Sequence, residues 1–281
     1  MASRAFRDND RMIVLVAGAH GRLGRLVVDL LLGRGHVVRA LVRTEAQANA
    51  LEDMGAETLL ADLTRDVEWT AEGCDAAVFA AGARHRSELP AVDAGGAAKV
   101  AEAAYRFELS RFVLCSAVGA GRPDRRQGVL REFLSAKHQA ERHVEQLDMP
   151  WTILRFGGLS ASQANGRITT TMPHAGLLRL SRADAALTIV EALPREHLHQ
   201  QVVHVVDGDR QVADALDAVE PRPLPAVQPS GLAAAQADNP PDDPEMIKPD
   251  ASPLDTDVDY EGDGPLPPEL VGNEDPAPGI P

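Results

Sequence analysis

Between Met12 and Val206 the chain alternates short, β-rich apolar runs with amphipathic helical stretches, and few architectures accept that alternation. The runs are MIVLVAG (12–18), HVVRALV (36–42), AETLLA (56–61), DAAVFAAG (75–82), RFVLCSA (111–117), WTILRF (151–156) and QVVHVV (201–206). Between them lie amphipathic segments such as LGRLVVDLLLGRG, EAQANALEDMG, AAKVAEAAYRF and ADAALTIVEAL. Strands buried on both faces read as near-continuous hydrophobic runs, and a strand-helix-strand succession builds a parallel sheet. The pattern therefore predicts an α/β, doubly wound parallel sheet. Glycines at 33, 35 and 55 stand where helices should stop in left-handed C-caps.

Charge separates this region from the C-terminal part of the chain. From Glu220 onward the chain carries 15 of its 20 prolines and 14 carboxylates against only Arg222 and Lys248, so −12 of the net −14 belongs there. Such a segment cannot bury enough apolar surface to offset its chain entropy, and residues 220–281 are expected to be a disordered, self-repelling, acidic Pro-rich tail. A solubilising role fits that composition better than a protein partner for the tail. Residues 1–10 are read as a flexible N-terminus and 11–219 as one folded domain. The arginines are scattered and form no basic stripe, which argues against nucleic acid. No apolar stretch approaches the length of a membrane span, the N-terminus shows no leader pattern, and Cys74 and Cys115 lack metal-ligand spacing; the expectation is a cytoplasmic protein with no membrane association and no metal.

The first unit carries the strongest chemical signal. A strand runs into Gly18-Ala19-His20-Gly21-Arg22-Leu23-Gly24 and then a helix. The first glycine permits a sharp turn, the second lets a pyrophosphate approach the backbone, and the third allows close helix packing, while the helix N-terminus offers its free N–H groups. This is the dinucleotide loop of a Rossmann-type sheet. At the end of the second strand, where an NAD site places an acid, stands Arg43. Arg43 can fork onto a 2′-phosphate, with Arg22 as a second contact, and so NADP is favoured over NAD.

The stretch VLREFLSAKHQAER (129–142) is helical in period, with Leu130, Leu134, Lys137, Glu141, Val144 and Leu147 three or four apart. Lys137 is one of only three lysines in the chain and occupies a slot on or beside that apolar stripe. By the helix alone, its stem lies along the core edge and its ammonium reaches water.

Together these residues resemble the atypical short-chain dehydrogenase/reductases, in particular the epimerase-like and NmrA-like NAD(P)-binding branch. The resemblance spans about 11–219 and rests on Gly18 to Gly24, ALVR (40–43), ADL (61–63), FAAG (79–82), CSAVGA (115–120), AKHQAE (136–141), WTILRFGGL (151–159) and LSRADAA (180–186). It implies that Asp62 and Leu63 face the adenine and that the Ala80-Ala81-Gly82 turn passes the adenine ribose. It implies further that Ser116 orients a substrate carbonyl or hydroxyl, and that Lys137, as the lysine of a Tyr-x-x-x-Lys motif, binds the nicotinamide ribose. His20 and Leu23 fall within the phosphate loop. The chain departs from the family twice: Phe133 stands where the tyrosine belongs, and Phe156 where proline is usual. Phe133 keeps the ring and loses the proton donor.

Three functions are expected, in order of preference. The first is an NADPH-dependent oxidoreductase acting on a small acceptor (quinone, flavin or conjugated carbonyl) that needs no proton from the protein. The second is a non-catalytic NADP(H)-binding redox sensor or assembly protein. The third is a sugar-nucleotide epimerase or dehydratase, for which the chain after Phe156 leaves little room. The substrate pocket is expected among the loops at 84–92, 119–129 and 157–175, where Arg84, His85, Arg86 and His174 are the notable side chains.

Overall fold

The computed structural model describes residues 11–171 and 178–221; the expectations for 1–10, for His174 and for the tail beyond 221 lie outside them. Seven strands make the parallel part of the sheet: β1 (Ile13–Ala17), β2 (Val37–Val42), β3 (Glu57–Leu60), β4 (Ala76–Phe79), β5 (Arg111–Ala117), β6 (Trp151–Phe156) and, later in the chain, β10 (Gln201–Asp207). Their order across the sheet is β3-β2-β1-β4-β5-β6-β10. These are the seven apolar runs of the sequence, and the fold is a Rossmann-type α/β sheet. Four short strands lacked the length to register as apolar runs: β7 (Gly158–Ser160), β8 (Arg167–Thr169), β9 (Arg179–Ser181) and β11 (Arg210–Gln211). β8 pairs antiparallel with β10 and with β11, extending one edge, and β7 and β9 form a separate two-stranded pair.

Helices cover both faces. α1 (Arg22–Gly33), α2 (Glu45–Glu52), α5 (Arg182–Ala192) and α6 (Val212–Asp217) contribute to a core with Val14, Val16, Val28, Val113 and Leu154. α3 (Ala97–Arg106) and α4 (Gly128–Glu145) pack on the opposite face against Leu15, Phe79, Phe112, Leu114 and Ile153. Alternate strand residues thus feed the two cores, as a pleated sheet requires. Gly35 (φ +82) and Gly55 (φ +99) are in the left-handed region expected of C-caps, whereas Gly33 is the last residue of α1 and is not among the positive-φ glycines. No helix among the described residues is long and apolar enough to cross a membrane.

At the edge remote from the nucleotide loop, burial and the neighbouring Arg111 guanidinium lower the pKa of His199 from 6.5 to about 4. The unfolded chain takes up this proton below pH 6.5 and the native one resists it down to about 4, so stability is full above 6.5 and falls across that window. Native protein should lose roughly 1 to 2 kcal/mol through this group, allowing for its partial exposure. Thermal unfolding of the native chain and of His199→Gln between neutral and mildly acidic pH checks this; parallel pH profiles for the two would refute it.

Candidate nucleotide and substrate site

The site is built at the C-terminal ends of β1, β2 and β4. Gly18 turns the chain out of β1 with φ +84, and a Cβ there would lie 2.5 Å from the Ala81 backbone. A Cβ on Gly24 would lie 2.1 Å from the Gly18 carbonyl oxygen, so the first turn of α1 packs directly on the loop. Gly21 caps α1 without any side-chain acceptor, and the first turn of α1 carries no acid. The positive end of a twelve-residue helix is therefore left open to an anion, which suits a pyrophosphate.

A shallow, solvent-open groove runs along this loop. Gly18, His20, Gly21 and Arg43 line one end, and Asp62, Leu63, Ala81 and Gly82 line the other. The structure thus brings together eight of the residues singled out in the sequence. Leu23, Gly24 and Ala80 stand behind the groove and shape it from the core. Arg22 is half-buried at the start of α1 and is not a lining residue, while the exposed Arg43 is. His20 is hydrogen-bonded to Arg25, one turn into α1. Asp62 accepts 2.9 Å bonds from the Thr64 backbone N–H and hydroxyl, which hold its carboxyl below the usual carboxylate range. Lys99 donates to the Leu63 carbonyl at 2.9 Å and fixes the same loop from α3.

Arg84, expected at the substrate pocket, also lines this groove; sequence reasoning did not single out Gln47, or Glu88 and Val92 within the 84–92 loop. Glu88 accepts from the backbone N–H groups of Arg84 and His85 at 3.0 and 3.3 Å and so holds the loop after β4 in shape. Arg86, one of the notable side chains of the 84–92 loop, is ion-paired with Glu132 on α4.

The second half of the site lies where β5, α4 and β6 meet. Lys137 is buried, and its ammonium is 2.9 Å from Asp93 Oδ1 and 3.4 Å from the Cys115 carbonyl. It does not reach along the core edge to water. Asp93 belongs to a π-helical segment, Pro90–Gly96, that leads into α3, and its Oδ2 accepts from the Ala83 N–H at 2.7 Å. One carboxylate thus ties the turn beyond β4 to Lys137. Phe133 is buried one turn before Lys137, its ring centroid 5.6 Å from the ammonium. The Ser116 hydroxyl, on the same face, donates a hydrogen bond to Glu141 Oε1 at 2.5 Å. Glu141 also receives Arg155 Nε at 3.0 Å and Nη2 at 2.8 Å, in a pair whose side chains are 1% and 4% exposed. Asp93 and Arg155 had a sequence signal: each is the lone charge in an apolar run, LPAVDAGGAA and WTILRF. Cys115 is a buried free thiol whose pKa burial pushes up to about 12, consistent with a core residue and not a nucleophile.

Comparison with known proteins agrees with the fold and with a dinucleotide-binding family. Residues 18–196 match the sequence model of a family described as NAD(P)H-binding. A Bacillus subtilis protein named as an uncharacterized sugar epimerase is 33% identical over 213 residues, 73% of this chain and 99% of that one. The solved structure of a candidate NAD-dependent epimerase/dehydratase from Bacillus halodurans superposes with a TM-score of 0.71 at 30% identity, covering 74% of this chain and all of the other. The photosystem II assembly factor Ycf39 of Trieres chinensis is 31% identical over 151 residues, 52% of this chain and 46% of that protein.

Proposed function

The chain belongs to the NAD(P)H-binding family, and from that premise we propose that it is an NADP(H)-dependent oxidoreductase that passes hydride to a small acceptor without protonating it. The observation that carries the reading is Phe133: a glycine loop and groove that suit a dinucleotide are paired with a ring that lacks the tyrosine hydroxyl. A bound reduced nicotinamide supplies the hydride. The chain's part is to hold the phosphates at Gly18 to Gly24, orient the ribose through Lys137, and keep the acceptor against the ring, which is a positioning task. Acceptors that take their proton from water, such as a quinone, a flavin or a conjugated carbonyl, suit it. The Ser116 hydroxyl proton is engaged by Glu141, so toward a ligand Ser116 offers lone pairs.

The relatives named for epimerase or dehydratase chemistry give that alternative its weight. Deprotonating a sugar hydroxyl needs the same tyrosine, however, and β7 to β9 are three residues each, a small framework for a nucleotide sugar. The similarity to an assembly factor favours the other alternative, a dinucleotide-binding protein without turnover. Calorimetry with NADPH and NADH, followed by NADPH oxidation across quinones, flavins and carbonyls, separates the three. The native chain should bind NADPH more tightly, and Arg43→Ala should weaken NADPH by about tenfold or more while changing NADH little, since a charge-assisted bond to a phosphate is at stake. Failure to bind either dinucleotide would sink the reading; tight binding with no acceptor reduced would favour the sensor or assembly role.

A further inference from the structure

The buried pair of Lys137 and Asp93 changes what the lysine can do. A lysine that activates a tyrosine acts through uncompensated charge. Here the charge is met at 2.9 Å by a carboxylate that is fully buried and is itself fixed by the Ala83 N–H. The residue it would have activated is Phe133. Other charges nearby are compensated too: Glu141 by Arg155 and Glu132 by Arg86, while the Cys115 thiol stays neutral. The charge of Lys137 is therefore balanced inside the site by Asp93, and a nicotinamide carries a positive charge when oxidised and none when reduced.

We propose that Asp93 determines the redox-state specificity of the cofactor site: by neutralising Lys137 it lets the oxidised dinucleotide bind about as tightly as the reduced one. The inference rests on the proposed placement of Lys137 at the nicotinamide ribose. A bare ammonium several ångströms from the ring, at an effective dielectric near 20, would disfavour the oxidised form by roughly tenfold or more. Asp93 cancels that bias. It is a specificity-determining and positioning residue that need not touch the ring.

The test is the ratio of dissociation constants, NADP⁺ over NADPH, measured by calorimetry on the full chain, with NAD⁺ and NADH in parallel. A lost ribose bond or a loosened turn weakens both forms and cancels in the ratio. The native ratio should lie within about threefold of one, Asp93→Asn should raise it about tenfold, and Lys137→Met should lower it about tenfold. The double variant, Asp93→Asn with Lys137→Met, should return to within about threefold of the native value, as a coupled charge pair requires. Opposite shifts from the two single variants are what a purely structural pair would not give. A single variant leaves one buried charge unpaired and can fail to fold; the native chain and the double variant then decide. A native ratio above about tenfold, a double variant displaced from native by that much, or one ratio common to all four proteins would overturn the inference. If the native chain binds no dinucleotide, the inference falls together with the proposed function; if it binds both forms and the ratios do not move, the inference falls alone.

Discussion

Glu141→Leu is expected to cost the fold about 3 to 5 kcal/mol, the usual penalty for stranding one member of a buried ion pair. The variant leaves the Arg155 guanidinium without its bidentate carboxylate and the Ser116 hydroxyl without its acceptor. The effect reaches the site because Arg155 also lies under the loop between β5 and α4: a Cβ on Gly121 would sit 3.0 Å from its Nη1. Urea unfolding of Glu141→Leu, Arg155→Met and the pair together measures this. The double variant should recover most of the loss, since an apolar pair of similar volume is often neutral beside a buried ion pair. A single variant that costs less than about 1 kcal/mol would show that the pair is effectively solvated.

This network marks the limit of what the sequence made legible. The seven long strands and the glycine loop were readable because each rests on a local pattern: an apolar run, or glycines set by backbone geometry. Arg43 was readable because it ends the second strand, where a dinucleotide site places the group that meets the ribose, whereas Asp62 and Gly82 were legible only through the family resemblance. Asp93 shows in the sequence only as a lone charge in an apolar run, and its role was not legible, since it depends on Lys137, 44 positions later, and on a π-helical winding that helical periodicity does not encode. Glu141 was placed on the stripe of α4, but its partners come from β5 and β6. β7, β8, β9 and β11 are three residues or fewer, too short for alternation to register. Lys137 shows the difference most clearly: one helix suggested a side chain reaching water, and three elements converge to bury it on a carboxylate.

Phe133→Tyr is expected to raise kcat/KM for NADPH-dependent reduction of simple carbonyls by about 10²-fold, near the lower end of what a positioned general acid supplies. The new hydroxyl stands on the ring one helical turn before Lys137, on the buried face of α4. The gain stays at the lower end because the ammonium that should acidify a phenol is balanced by Asp93. Adding Asp93→Asn to Phe133→Tyr should therefore raise the rate beyond the single change, even where NADP⁺ binds less well. Steady-state NADPH oxidation with a set of aldehydes and ketones reads both steps. If Phe133→Tyr binds NADPH as the native chain does and gains nothing, the missing atom is not what separates this site from a carbonyl reductase. If the native chain already reduces those carbonyls at the variant's rate, protonation comes from elsewhere and Phe133 says nothing about the acceptor. The absent tyrosine and the neutralised lysine are then one device: a site that has given up its proton donor has no use for an unbalanced lysine charge.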